Sequence, residues 1–212
     1  SLTLGLPSAI TAMTGVDAMV HAIEAYTSRH KKNPLSDNLA LNALRLLSGN
    51  IRTAVHEGGN REARENMLLG ACLAGQAFAN APVGAVHALA YPLGGHYHIP
   101  HGLSNSLVLP SVLAFNAPEA NILYAELAEI VIGAPVAGGE EAKTAALIAA
   151  LRQLIDEVAL PATLQQAGVK ESDLEMLATD AMLQQRLLVN NPRDVEYADA
   201  LAIYQAAYGN AA

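Results

Sequence analysis

The stretch "TAMTGVDAMVHAIEAYTSRH", residues 11–30, sets the reading of the whole chain. Val16, Met19, Val20, Ile23 and Tyr26 return at intervals of three and four, the spacing of one helical face. Asp17 and His21 are four apart on the same helix, which places their side chains on a common face with Cβ atoms ~5–6 Å apart. A helix that carries both an apolar stripe and a carboxylate–imidazole pair is a candidate for core and chemistry at once.

The same periodicity continues outward. "SDNLALNALRLLSGNIRTAVHEGG" (36–59) predicts a helix with a cap at Ser36 or Asp37 and a stop at Gly58-Gly59. "NREARENMLLGACLAGQAFANA" (60–81) predicts a third, whose small residues suit close packing at the centre of the fold. "VGAVHALAYPLGG" (83–95) reads as a helix interrupted at Pro92 and ended by Gly94-Gly95. After a loop, "HGLSNSLVLPSVLAFN" (101–116) and "APEANILYAELAEIVIG" (117–133) read as two helices, with Pro118 in the first turn of the second. Segments 138–160, 170–184 and 196–208 complete the set, and "LLVNNPRDV" (187–195) is a turn built on Asn-Asn-Pro. Residues 2–5 are the one candidate strand. The expectation is a single all-α domain of eight or nine helices.

Composition agrees. Of 212 residues, 52% are hydrophobic and only 4% aromatic, with no Trp, and alanine and leucine favour helix over strand. The formal net charge of −8, with no basic run beyond "RHKK" (29–32), argues against nucleic acid or an anionic membrane as partner. The single cysteine, Cys72, reads as a small buried hydrophobe in a reducing compartment. No apolar run reaches the ~18–20 residues of a membrane span and no leader is evident, so a cytoplasmic protein is expected.

A second stretch, "AVHALAYPLGGHYHIPHG" (85–102), holds four of the seven histidines. His87 and His101 from it, added to Asp17 and His21, make three imidazoles and a carboxylate, an N3O set suited to Zn²⁺ or Fe²⁺. Taken singly, each residue has an ordinary reading. An Asp and a His four apart on a helix are usually an exposed ion pair, a histidine on an apolar helix is usually a hydrogen-bonded core residue, and one before a glycine is usually a loop residue.

Together, however, "GVDAMVHAIEAYTS" and "VHALAYPLGGHYHIPHGLSNSLVLP" resemble the iron-containing (group III) alcohol dehydrogenases, and the tail "NNPRDVEYADALAIYQAAY" extends the resemblance. The resemblance implies that Asp17, His21, His87 and His101 bind one divalent metal, Fe²⁺ or Zn²⁺. It implies NAD- or NADP-linked oxidation of an alcohol, or reduction of an aldehyde or ketone. It implies the C-terminal helical domain of the dehydroquinate synthase-like fold, with residues 1–212 as the metal- and substrate-binding unit and the N-terminal nucleotide-binding domain absent. No Gly-x-Gly-x-x-Gly follows a strand here, so the chain alone is expected to be inactive. Its face around 85–102 is expected to be exposed and apolar, which would favour a homodimer.

His96 and His98 fall where the family varies and read as loop histidines. Tyr91 stands where many members carry a second histidine beside the nicotinamide. It is the candidate catalytic residue, as a proton relay or as an aromatic wall. Glu24, one turn beyond His21, reads as a packed or exposed helix residue, with a supporting role behind the metal as the alternative. Maleylacetate reductases share the "LTLGLP" opening but typically carry asparagine where this chain has Asp17. An all-α metal phosphohydrolase and a non-catalytic helical interaction domain are the remaining readings. The first is weakened by the lack of any adjacent His-Asp pair.

Overall fold

A computed structural model describes residues 2–209. Nine α-helices and one 3₁₀ turn lie among them: α1 (Ser8–Tyr26), α2 (Pro34–His56), α3 (Arg61–Asn80), α4 (Ala85–Tyr97), α5 (His101–Ile132), α6 (Glu140–Glu157), the turn Glu171–Asp173, α7 (Leu174–Ala181), α8 (Gln185–Leu188) and α9 (Tyr197–Tyr208). There is no strand among the described residues, and residues 2–5 form a turn.

The centre is α1, which packs on α2, α3 and α5. Its face of Val16, Met19, Val20 and Ile23 is buried, as the spacing requires. Close approach is built from glycines. A Cβ at Gly15 would lie 2.8 Å from Ile51 and Met67, and one at Gly70 would lie 2.8 Å from Leu47. The α1–α2–α3 layer is therefore tight because those side chains are missing. α3 itself is not central: Leu68, Leu69 and Cys72 on its outer face are exposed, so the cysteine is a surface thiol rather than a core hydrophobe.

Other boundaries differ from the sequence pattern for definable reasons. The cap of α2 is Asn33, whose Oδ1 accepts from the backbone N–H groups of Leu35 and Ser36; Ser36 returns the bond to the Asn33 N–H, completing a capping box behind Pro34. α4 runs through Pro92, Gly94 and Gly95 to Tyr97, with His98 in the left-handed region at its C-cap. His96 is thus helical and pairs with Asp180 on α7. Segments 101–116 and 117–133 are one helix, α5, continuous through Pro110 and Pro118 and ended by Gly133 at φ 77°. Burial of Leu107, Val108, Leu109, Val112 and Leu113 outweighs the hydrogen bonds the two prolines cannot make.

Residues 85–90 are buried, not an exposed apolar face. The exposed apolar side chains near the start of the chain are Leu2, Leu6 and Ile10. No single helix is long and apolar enough to cross a membrane; α3 and α4 meet the length and composition only as a pair bent by 108°.

Candidate metal centre

Three elements supply the site. α1 contributes Asp17, His21 and Glu24 from successive turns; α4 contributes His87 from its first turn; α5 contributes His101 as its first residue and Asn105 one turn later. Gly102 explains how α5 comes so close to α1. A Cβ there would stand 2.4 Å from the Met13 carbonyl oxygen and 3.3 Å from the Asp17 Cβ, so only glycine allows the helix start to rest on the α1 backbone. That contact carries His101 over Asp17.

One ligand atom from each of Asp17, His21, His87 and His101 can be chosen so that all lie within 4.8 Å of one another. His87 Nε2 is 3.1 Å from His21 Nε2 and 3.9 Å from Asp17 Oδ1, and His101 Nε2 is 3.6 Å from the same oxygen. Four donors around one Zn²⁺-sized ion at ~2.1 Å stand about 3.4 Å apart, so these separations bracket what a single ion needs. His87 is 2% exposed and His101 47%, so the site is closed at its α4 wall and open to solvent at the start of α5.

The orientation of His87 is determined by Glu24, which is buried. Glu24 Oε1 accepts from the Val86 N–H at 2.7 Å, and Oε2 accepts from His87 Nδ1 at 2.6 Å. A carboxylate only accepts, so Nδ1 carries the proton and the Nε2 lone pair faces Asp17 and His21. This is the arrangement in which a carboxylate behind an imidazole sets both tautomer and direction. Burial pushes the His87 pKa down, but the hydrogen bond and charge of Glu24, with Asp17 beyond, outweigh it and hold the imidazole above its ordinary value. His21 moves the other way: burial lowers it, only partly opposed by Asp17. Its ring stacks on Phe78 with centroids 4.6 Å apart, which fixes its plane from the α3 side.

Asn105 converges on the same point. Its Nδ2 donates to Asp17 Oδ1 at 2.5 Å and lies 3.3 Å and 3.2 Å from the Nε2 atoms of His87 and His101. Its Oδ1 is buried without a hydrogen-bond partner. Asp17 Oδ1 and the Nε2 atoms of His21, His87 and His101 gather lone pairs around one point, a set that suits a cation. The donor set therefore fits a borderline divalent metal such as Fe²⁺ or Zn²⁺.

Spacing put Asp17 and His21 on one helix face and the family resemblance added His87 and His101; the fold brings the four side chains within reach of one another. Tyr91, one turn beyond His87, is half-buried with its ring centroid 5.9 Å from His101 and 6.5 Å from His87, at the edge of the cluster. His96 and His98 are not in the cluster. Phe78 and Asn105 were not singled out by the sequence. Asn105 follows His101 by four residues, a spacing that puts both on one helix face and was available as a signal.

The chain matches the family model "Fe-containing alcohol dehydrogenase family, C-terminal" over residues 11–208. It is 42% identical to long-chain-alcohol dehydrogenase 1 of Geobacillus thermodenitrificans over 207 residues, which cover 98% of this chain and 52% of that relative. A 1,3-propanediol oxidoreductase structure superposes with a TM-score of 0.92 at 39% identity, covering 97% of this chain and 53% of that one. A sulfoacetaldehyde reductase from Bifidobacterium kashiwanohense in complex with NAD⁺ superposes at 0.85 with 27% identity. The chain thus spans about half the length of the relatives it matches.

Proposed function

The chain belongs to the Fe-containing alcohol dehydrogenase family, and from that membership we propose that it is the metal- and substrate-binding half of an NAD(P)-linked enzyme interconverting a small alcohol with its aldehyde or ketone. The observation that carries the proposal is the convergence of Asp17, His21, His87 and His101, on three helices, to within one ion's reach. Fe²⁺ or Zn²⁺ held by these four would act as a Lewis acid toward the substrate oxygen, and the dinucleotide would exchange the hydride.

The protein's own groups do the rest. Asp17 supplies negative charge that partly offsets the ion's. Glu24 keeps the proton of His87 on Nδ1 and so leaves the Nε2 lone pair to face the metal position. Phe78 and the α4 wall exclude water from one side, while the exposed edge at His101 leaves an approach for substrate. Tyr91 lies at that edge, where its hydroxyl would hydrogen-bond the substrate oxygen or pass its proton toward solvent. A tyrosine is a weaker base than histidine at neutral pH, so its role would be as relay or donor.

The nucleotide would come from a second domain, corresponding to the half of the relatives outside this match. The exposed Leu2, Leu6 and Ile10 offer apolar surface for such a domain or for a second copy of the chain. A reducing, cytoplasmic compartment suits the exposed thiol of Cys72. Metal analysis of anaerobically purified protein tests the reading. About one equivalent of iron or zinc per chain, lost in His87→Ala and His101→Ala while helicity persists, supports it. Wild-type protein that takes up neither metal on reconstitution overturns it. NAD(P)H-linked turnover by these 212 residues alone would overturn the division of labour between two domains.

A further inference from the structure

The most buried of the four prospective ligands, His87, sits on a helix without a cap of its own. The N-cap of α4 is Gly84, which has no side chain to offer. The first two N–H groups of the helix go instead to side chains from distant parts of the chain. Val86 donates to Glu24, as described, and Ala85 donates to Asn191 Oδ1 at 3.3 Å. Glu24 belongs to the site. Asn191 lies 106 residues from Ala85, in the Asn-Asn-Pro turn after α8.

Asn191 is built in rather than merely near. It is 2% exposed, and both lone pairs and both protons of its amide are engaged. Oδ1 also accepts from Asn116 Nδ2 at 3.0 Å, while Nδ2 donates to Asn116 Oδ1 at 2.7 Å and to the Arg193 carbonyl at 2.6 Å. A reciprocal amide pair of this kind has one orientation only, because turning either amide sets donor against donor. Asn116 belongs to α5, the helix that begins with His101. The backbones are pressed together as well: a Cβ on Gly84 would lie 3.1 Å from the Asn191 Cα. Asn190 adds a bond from Nδ2 to the Val83 carbonyl at 3.3 Å.

We propose that Asn191 is a positioning residue for the metal site: by joining the first turn of α4 to α5 it fixes the line along which His87 meets the other three ligands. The proposal rests on reading Asp17, His21, His87 and His101 as that site. Glu24 sets which nitrogen of His87 faces the metal. Asn191 sets where the turn that carries His87 stands relative to the helix that carries His101. A core amide with no such role would lower stability when removed and leave the metal site of the folded protein unaltered.

Titration with Co²⁺, followed by its visible absorption, separates the two because the bands report both affinity and coordination geometry. The comparison uses wild type, Asn191→Ala, Asn191→Asp and, as a control for lost stability alone, Leu151→Ala in the interface of α6 with α5. Asn191→Ala is expected to bind Co²⁺ about tenfold more weakly or worse, with altered bands, at a temperature where it is folded. Asn191→Asp keeps the acceptor for Ala85 but cannot donate to Asn116 or Arg193, and is expected to fall between. Leu151→Ala is expected to melt earlier with wild-type affinity and bands. If Asn191→Ala does not fold, Asn191→Asp carries the comparison. Wild-type affinity and bands in whichever Asn191 variants fold overturn the proposal and leave the metal site standing. Wild-type protein that binds no Co²⁺ overturns the site and this proposal with it.

Discussion

Glu24 and His87 stand 63 residues apart in the chain and 2.6 Å apart in the fold, with the carboxylate also holding the backbone N–H of the residue before the histidine. One buried side chain thus binds both the imidazole and the turn it grows from. In Glu24→Gln, the amide can satisfy one of these two donors but must present an N–H to the other. If the conflict is relieved at the ring, the proton moves to Nε2 and the lone pair is lost from the metal side. Metal affinity is expected to fall about 10–100-fold. Competitive titration with a chelator of known affinity measures this, and an unchanged constant would show that Glu24 does not govern the tautomer.

His87 and His101 should part company in the metal-free protein. Removal of His87 leaves Glu24 buried beside a void with one donor gone, a loss of about 3 kcal/mol or more by the usual cost of breaking a buried pair. His101 is half in solvent, and its removal should change stability by no more than ~0.5 kcal/mol. Urea denaturation after chelator treatment distinguishes them. Both variants should fail to gain stability on adding metal, whereas wild type at a hundredfold excess over Kd should gain about 2.7 kcal/mol.

Gly102→Ala tests the α1–α5 approach. The new methyl group meets a backbone carbonyl, which cannot swing aside like a side chain, so the helix start must move. A loss of about 1–3 kcal/mol is expected. Because the displaced residue is next to His101, metal affinity should fall with it. A melt unchanged from wild type would mean that α5 does not rest on Met13 in solution.

Tyr91→Phe keeps the ring beside His87 and His101 and deletes only the hydroxyl. Metal content should match wild type. In the protein joined to its nucleotide-binding half, alcohol oxidation should fall on the order of 10²-fold if the hydroxyl handles the proton. Full turnover in the variant would reduce Tyr91 to a wall of the pocket.

How much of this could be read beforehand depended on whether the determinant was local. The periodicity of Val16, Met19, Val20 and Ile23 is local, and it gave α1 and its buried face. The four-residue step from Asp17 to His21 is local too, and family likeness brought His87 and His101 to it. The supporting residues were harder to read because their partners are remote, and Glu24 stood only as an alternative. Nothing near Glu24 in sequence announces that it is buried, since its partners Val86 and His87 are 62 and 63 residues on. Pro118 argued for a new helix starting at 117, a boundary that burial of the α5 face overrode. Cys72 looked buried because its sequence neighbours are apolar, but α3 turns that flank outward.

Because α1 supplies Asp17, His21 and Glu24 while also forming the centre of the packing, substitutions there are subject to two requirements at once. A change that retunes the chemistry from this helix also disturbs the layers around it. The rim at Tyr91 carries no such double duty. Divergence toward new substrates has its cheapest route along that rim, and α1 should change least as the specificity of such a protein drifts.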